Sequence, residues 1–468
     1  MADRERTPSL FGLSKPRILE RLRDVYADAA TGEWLIATQW DYPDCPDPHV
    51  SDLDEVFPDN PVALFQFSGH AAWMNTRAFA ELGITAETPD WERGGVDLDS
   101  SGRLTGIVRE PFGADGVKRL FEQRFTDPDQ LRRNLPPTFE LLASHGVTSV
   151  QDNTWFPHVV EVYNELLAED ALSIRISCWF MGESQKLIDG MEARRYHPLR
   201  LERGPLKFFW DGAFSSKTAW LIQPYEGEPD NYGAGIAADQ IQRTIEPAVK
   251  AGRQVAAHSI GDRATREYLD AAEALAKRHP HLRDMRIRIE HGQLIREEDI
   301  RRIVDLGLVV STQPHAAATP QKDVALVGPR RAERAYPYRS LLDAGACVAF
   351  GSDYPGEGSF EPLLGMHYAV NRSGPEAITP AEALKAYTYG SAYVELAEKE
   401  KGSVEEGKLA DFVVLSEDPT RIDPARIKDI GVELTMMDGR IVYRAEEEEA
   451  PARAQNGAGQ TTDTGPTA

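Results

Sequence analysis

The chain has 468 residues and a formal net charge of −23, from 75 acidic and 52 basic side chains. That balance argues against nucleic acid, whose phosphates need a basic face, and against an anionic membrane surface. Hydrophobic residues make up 41% and the mean hydropathy is −0.43, which suits a water-soluble protein with a sizeable core and, with no apolar run near the length of a membrane span, no transmembrane helix.

In chain order, residues 1–14 read as a tail whose charged start is followed by no apolar signal core. Three cysteines, Cys45, Cys178 and Cys347, give no disulfide framework, so a reducing cytoplasm is the expected compartment. Residues 15–145 read as an elaboration, with strands expected at 34–40, 62–67 and 104–110 and a loop rich in Pro and Asp over 41–61. From 146 to 400 short apolar runs alternate with amphipathic helices. Seven strands are expected, at 147–151, 174–180, 206–211, 254–258, 287–291, 308–312 and 347–352, with helices such as 239–251, 263–277 and 297–306 between them. This alternation predicts βαβ units and a parallel sheet, an α/β fold whose closed form is a TIM-like (β/α)8 barrel. Thr379, with Glu382 three residues on, predicts a capping box opening a helix over 379–398. Residues 401–444 predict a small β element, with strands at 408–415 and 432–443 and a turn at Asp438-Gly439. Residues 445–468, opening on glutamates, read as a disordered acidic and polar tail.

Four of the barrel runs end in a polar residue: Lys207, His258, His291 and Asp353. An unpaired polar group at a buried strand end costs about 2–7 kcal/mol, so the repetition calls for a reason. Residues from several parallel strands that meet at one rim form the active site of a barrel. Lys207, among large apolar neighbours, is either a snorkelling lysine or one whose amine has taken up carbon dioxide to form a bidentate, metal-bridging carbamate. Asp211 would orient the site or cap the next helix. His258 and His291 end adjacent strands, about 4.8 Å apart in such a sheet, and neutral imidazole is a common zinc ligand. Asp353 is either a turn aspartate or a carboxylate that takes a proton from water and hands it to a leaving nitrogen.

These phrases resemble the metal-dependent amidohydrolase superfamily, and within it amidohydrolase family 3, which includes N-substituted formamide deformylase-like enzymes. The resemblance runs from about residue 15 to residue 444 and rests on Ser68-Gly69-His70-Ala71-Ala72-Trp73-Met74-Asn75, Gly146–Asp152, Lys207–Gly212, Ala257–Ala264, Arg288–His291, Gln313-Pro314-His315, Gly351–Pro355 and Gly407–Leu415. It implies that Lys207 is a carboxylated bridging ligand, that His258 and His291 bind metal, and that Asp353 is a ligand and the general base. It also implies that His70, Trp73 and His315 lie over the substrate, although His70 reads equally as a locally packed loop histidine. One family feature is absent: the His-x-His pair that ends its first barrel strand. That strand and half of a small β-sandwich are expected to be missing, with the elaboration standing before strand two. His279-Pro280-His281 falls between a helix and the next strand, at the opposite end of the barrel, and the run 62–67 is the candidate substitute strand.

The expected function is therefore hydrolysis of a non-peptide carbon–nitrogen bond in a small-molecule amide, N-acyl or N-formyl, with a divalent metal, zinc by ligand type, and one ion rather than two. The alternative is a catalytically degenerate or truncated relative with a binding role only. Unpaired strands near the C-terminus raise the expectation of a homo-oligomer.

Overall fold

The computed structural model describes residues 7–42, 44–88, 95–182 and 184–446. Most of the expected acidic tail lies outside the described residues.

The N-terminal part forms a five-stranded sheet from β1 (Leu35–Trp40), β2 (Val62–Gln66), β3 (Ala71–Met74), β4 (Gly95–Leu98) and β5 (Leu104–Arg109), in the order β1-β2-β3-β5-β4. Successive strand residues face opposite ways, and both faces are apolar. Leu35, Ala37, Leu64 and Trp73 meet Leu10, Ile18 and Leu22 on one side. Ile36, Ala63, Phe65, Ala72 and Met74 meet Phe79 and Val117 on the other. The run 62–67, the candidate substitute for a missing barrel strand, is β2 of this sheet. It pairs with β1 on one edge and β3 on the other, so its backbone has no edge left for the barrel.

Seven parallel strands follow: β6 (Ser149–Asp152), β7 (Arg175–Met181), β8 (Leu201–Phe209), β9 (Val255–Ser259), β10 (Arg288–His291), β11 (Val309–Thr312) and β12 (Cys347–Phe350). They lie in sequence order, each hydrogen-bonded to the next. All seven expected runs contain a strand, and the three helices named from periodicity occur as Ala238–Lys250, Asp262–Arg278 and Glu297–Asp305. The result is a curled parallel sheet of the TIM-like type. Among the described residues no ladder joins β6 to β12.

The expected helix at 379–398 begins with the capping box, Thr379 accepting from the Glu382 N–H and the Glu382 carboxylate accepting from the Thr379 N–H. It then changes character: an α-helix over Pro380–Lys385, a π-turn over Ala386–Gly390 and a short helix over Ser391–Val394. A Cβ on Gly390 would stand 2.4 Å from the Val348 carbonyl oxygen, so only glycine lets this segment lie directly on β12. The remaining strands, β13 (Phe412–Leu415), β14 (Val432–Met437) and β15 (Arg440–Arg444), form an antiparallel sheet. Asp438 and Gly439, with φ of 57° and 74°, make its two-residue hairpin turn.

One buried ion pair ties this small sheet to the barrel. Arg175 at the start of β7 gives both sides of its guanidinium to Asp411, with Nη2 2.8 Å from Oδ1, and the two side chains are 4% and 5% exposed. Thr435 adds a hydroxyl donated to the Ala143 carbonyl at 2.6 Å. Replacing Asp411 by alanine leaves the buried guanidinium with only the Leu199 carbonyl and the longer Asp438 contact at 3.3 Å. We expect a loss of about 3–5 kcal/mol in urea unfolding, with the amides of β13–β15 the first to gain hydrogen exchange. A loss below about 1 kcal/mol would mean that solvent reaches Arg175 freely.

Candidate functional site

The site is built at the C-terminal ends of β8, β9 and β10 and in the loop after β12. Lys207, on β8, is 5% exposed. Its ammonium lies 4.8 Å from the centre of the Phe209 ring and 5.8 Å from that of Trp179, and it donates no hydrogen bond among the described residues. Burial lowers its pKa, while Glu290 and Asp353 act against that shift. The neutral amine is therefore easier to reach here than in water.

The rings of His258 and His291 are 4.4 Å apart, and that of His70, from the turn between β2 and β3, is 4.7 Å from His258. Register alone does not bring His291 there. His258 is paired with Glu290, and His291 with Ser259, so strict alternation would send the His291 ring to the other face of the sheet. Its φ of 72° ends the strand and turns the side chain back. Asp353 has a φ of 50°, also in the left-handed region. Such conformations cost about 1–3 kcal/mol each outside glycine, and they gather at functional sites.

Hydrogen bonding sets the ring nitrogens. His258 Nε2–H donates to the Gly212 carbonyl at 2.9 Å. His291 Nδ1–H donates to Gln313 Oε1 at 2.8 Å. His70 Nδ1–H donates to the Glu110 carboxylate at 2.8 and 3.0 Å. Because the oxygens that bind His258 and His291 only accept, the proton is assigned to the bonded nitrogen and a lone pair to the other: Nδ1 of His258 and Nε2 of His291. Burial holds His258 well below the ordinary imidazole value, helped by the nearby His291, His70 and Lys207 and opposed by Gly212. His291 is lowered in the same way by burial, Lys207 and His70, against Gln313. Both rings are thus neutral lone-pair donors at neutral pH.

Asp353 opens onto the same cavity, yet the protein packed around it pushes its acid up to about 6, with Lys207 and His70 pulling it back. Asp211 is fully buried and accepts backbone N–H groups from Trp220 at 2.9 Å, Ile260 at 3.0 Å and Gly261 at 2.8 Å. Burial raises its acid to about 7 against those donors. By binding Ile260 and Gly261 it fixes the chain just after His258.

Five of the seven sequence-predicted residues, Lys207, His258, His291, Asp353 and His70, line one cavity of about 2330 Å3. Trp73 and His315 do not. Trp73 is fully buried in the first sheet, 6.1 Å from Trp40, and its indole N–H donates to the His49 carbonyl at 3.0 Å. Alternation along β3 turns it to the face away from the barrel. His315 packs against the helix Pro362–Asn371, its ring 6.1 Å from that of Tyr368, its Nε2 bonded to the Glu361 carbonyl at 3.1 Å and its buried Nδ1 without a partner. Burial pushes it down to about 4. His279, on the far side, is bonded to Glu246 at 3.0 Å.

Among the described residues no three His, Cys, Asp or Glu side chains converge closely enough to hold a metal as they stand. Lys207 is the further group between them, within electrostatic reach of His258, His291 and Asp353. The donor set therefore fits a metal only if Lys207 contributes. Two supporting residues escaped the sequence reading, Glu110 and Glu290. Glu110 closes the expected run 104–110, so the rule of a strand ending in charge would have found it. Glu290 accepts from the buried Arg288 at 2.7 Å inside the barrel, a pairing that sequence does not show.

A model of the amidohydrolase family matches residues 12–443. YtcJ of Bacillus subtilis (strain 168) is 30% identical over 463 residues, covering 92% of this chain and 83% of its own. The N-substituted formamide deformylase of Arthrobacter pascens is 29% identical over 420 residues, 84% of this chain and 75% of that enzyme. The crystal structure of an uncharacterized metal-dependent hydrolase from Pyrococcus furiosus superposes with a TM-score of 0.67 at 29% identity, covering 89% of this chain and 84% of that one.

Asp211 supplies a test of the local framework. Asp211→Ala leaves the N–H groups of Trp220, Ile260 and Gly261 unsatisfied in the interior, at about 1–3 kcal/mol each. The expected result is a stability loss of about 3 kcal/mol or more by chemical denaturation. A variant as stable as the parent would show that water replaces the carboxylate.

Proposed function

This chain belongs to the amidohydrolase family, and on that premise we propose that it is a metal-dependent hydrolase of a non-peptide carbon–nitrogen bond in a small-molecule amide. The observation that carries the reading is the pair of buried, neutral imidazoles, His258 and His291, each with one nitrogen tied to an acceptor and the other free beside Lys207 and Asp353. Anchoring the far nitrogen on a carbonyl is the usual support of a metal-ligating histidine. His258, His291 and Lys207 would hold one divalent ion, with Asp353 at its edge, and two imidazole nitrogens favour zinc. An ion bound there polarises an amide carbonyl and makes water a stronger nucleophile.

The chain's own groups do the rest. The buried amine of Lys207, neutral more readily than a surface lysine, attacks carbon dioxide; an N–C bond forms, a proton leaves, and the resulting carbamate offers anionic oxygens. Asp353, as carboxylate, takes the proton of the attacking water and passes it to the departing nitrogen. His70, held by Glu110 against His258, borders the space left for substrate. The name of the Arthrobacter relative supports an N-acyl or N-formyl amide as the substrate. Among the described residues no ladder joins β6 to β12, and an eighth strand, with any further pair of imidazoles, would lie there. With the residues at hand we propose one ion rather than two. A binding-only protein would have no use for two neutral imidazoles, one of them on left-handed backbone, beside an unpaired lysine.

Metal analysis tests this reading. The purified chain is expected to carry about one ion, to lose hydrolysis of simple N-acyl amides on chelation, and to recover it with zinc. Lys207→Ala should lose both ion and activity, and Gln313→Leu should bind the ion about 10–100-fold more weakly while remaining folded. Full metal content in Lys207→Ala would overturn the ligand set.

A further inference from the structure

One carboxylate reaches two of the site's histidines by different routes. Glu110 stands just past β5, buried and on left-handed backbone with a φ of 50°. It grips His70 twice: its N–H donates to the His70 carbonyl at 2.9 Å, and its carboxylate is bonded to His70 Nδ1 at 2.8 and 3.0 Å. Toward the barrel, its Oε1 accepts the Thr218 hydroxyl at 2.7 Å. Thr218 is buried and closes the turn that leaves β8. The Gly212 N–H donates to its carbonyl at 3.3 Å, and the Ala213 N–H to its hydroxyl at 3.1 Å. Gly212 in turn offers the carbonyl that takes His258 Nε2 at 2.9 Å.

Glu110, Thr218 and Gly212 meet at one point. A Cβ on Gly212 would collide with both Thr218 Oγ1 and Glu110 Oε1, so the hydroxyl and the carboxylate lie directly against this glycine. The preceding residue of the first sheet repeats the grip. Arg109, paired with Asp97 at 2.8 Å, donates to the Ser216 carbonyl, two residues before Thr218. Ser216 is itself buried, with its hydroxyl 2.7 Å from that of Thr218. A peptide carbonyl points where its turn aims it, and two consecutive residues of the first sheet clamp this turn. The hydrogen-bond partner behind a ligating imidazole sets the ring's orientation, and with it the affinity for an ion.

We infer that Glu110 is a positioning residue for two histidines at once, holding His70 directly and His258 through Thr218 and the Gly212 carbonyl. An ion at His258 then senses how the first sheet is docked on the barrel. That ion rests on the hydrolase reading above; the link from Glu110 to the His258 ring does not. The test compares the full chain with Thr218→Val, which keeps the shape and loses the hydroxyl, with Thr218→Ser, which keeps the hydroxyl, and with Glu110→Gln. In metal-free protein carrying isotope-labelled histidine, Thr218→Val and Glu110→Gln should move the ring nitrogen resonances of His258 in the NMR spectrum, and Thr218→Ser should leave them at the parent position. Zinc affinity by calorimetric titration should fall about ten-fold in Thr218→Val and Glu110→Gln, and by less than about three-fold in Thr218→Ser. Unmoved His258 resonances in Thr218→Val and Glu110→Gln, with unchanged circular dichroism, overturn the inference and leave Glu110 to His70 alone. A Thr218→Ser variant as impaired as Thr218→Val also overturns it, because packing and not the hydrogen bond would then hold the turn. Should Thr218→Val not fold, Thr218→Ala against Thr218→Ser decides the same question on the hydroxyl alone. The two readings fail separately. Moved resonances in a chain that takes up no zinc remove the metal and leave the positioning, whereas a tightly bound ion with His258 unmoved in the variants does the reverse.

Discussion

Oxygen atoms that can only accept hydrogen bonds decide what the site is. Gly212 and Gln313 each take the proton-bearing nitrogen of one histidine, so the opposite nitrogen of each ring is left bare, while Glu110 holds His70 beside them. Burial then keeps the His258 and His291 rings uncharged. Remove the anchors and the same residues become freely turning imidazoles whose lone pairs point nowhere in particular. The barrel supplies the anchors at no extra structural cost, because Gly212 and Gln313 belong to the loops that leave β8 and β11.

The five-stranded sheet is more than an addition in front of the barrel. It reaches the mouth loops through several polar contacts: Gln39 donates to the Pro355 carbonyl at 3.0 Å, Lys322 pairs with Asp41 at 2.6 Å, and Thr218 donates to Glu110 at 2.7 Å. Arg109 also donates to the Ser216 carbonyl. Through these the sheet fixes where His70 stands. Loops that carry chemistry are usually the mobile part of a barrel. Here they are pinned from above.

Much of the barrel was legible in the sequence, for a physical reason. Strands of a parallel sheet are buried on both faces, so they appear as continuous apolar runs, and a polar residue at the end of one stands out. Lys207, His258, His291 and Asp353 were singled out in that way, and His70 through resemblance, and all five line one cavity. What stayed hidden depends on partners and direction. β3 has only four residues and is marked off by no strong turn signal beyond Gly69. The run 62–67 was recognisably a strand, but its sheet was not, since edge pairing leaves no trace in a single strand. Trp73 and His315 lie in phrases that point to the site, while alternation in one case and a tight turn in the other carry their rings away from it. The π-turn at 386–390 interrupts a segment whose apolar spacing reads as unbroken helix.

The left-handed backbone at His291 and Asp353 has an evolutionary consequence. Glycine relaxes such a conformation, so at both positions the mutation that most comforts the main chain is the one that deletes the side chain proposed above as ligand or base. Under that proposal, a population selected for heat resistance alone would drift toward a firmer and inert molecule, and selection on chemistry would be what keeps histidine and aspartate where they are.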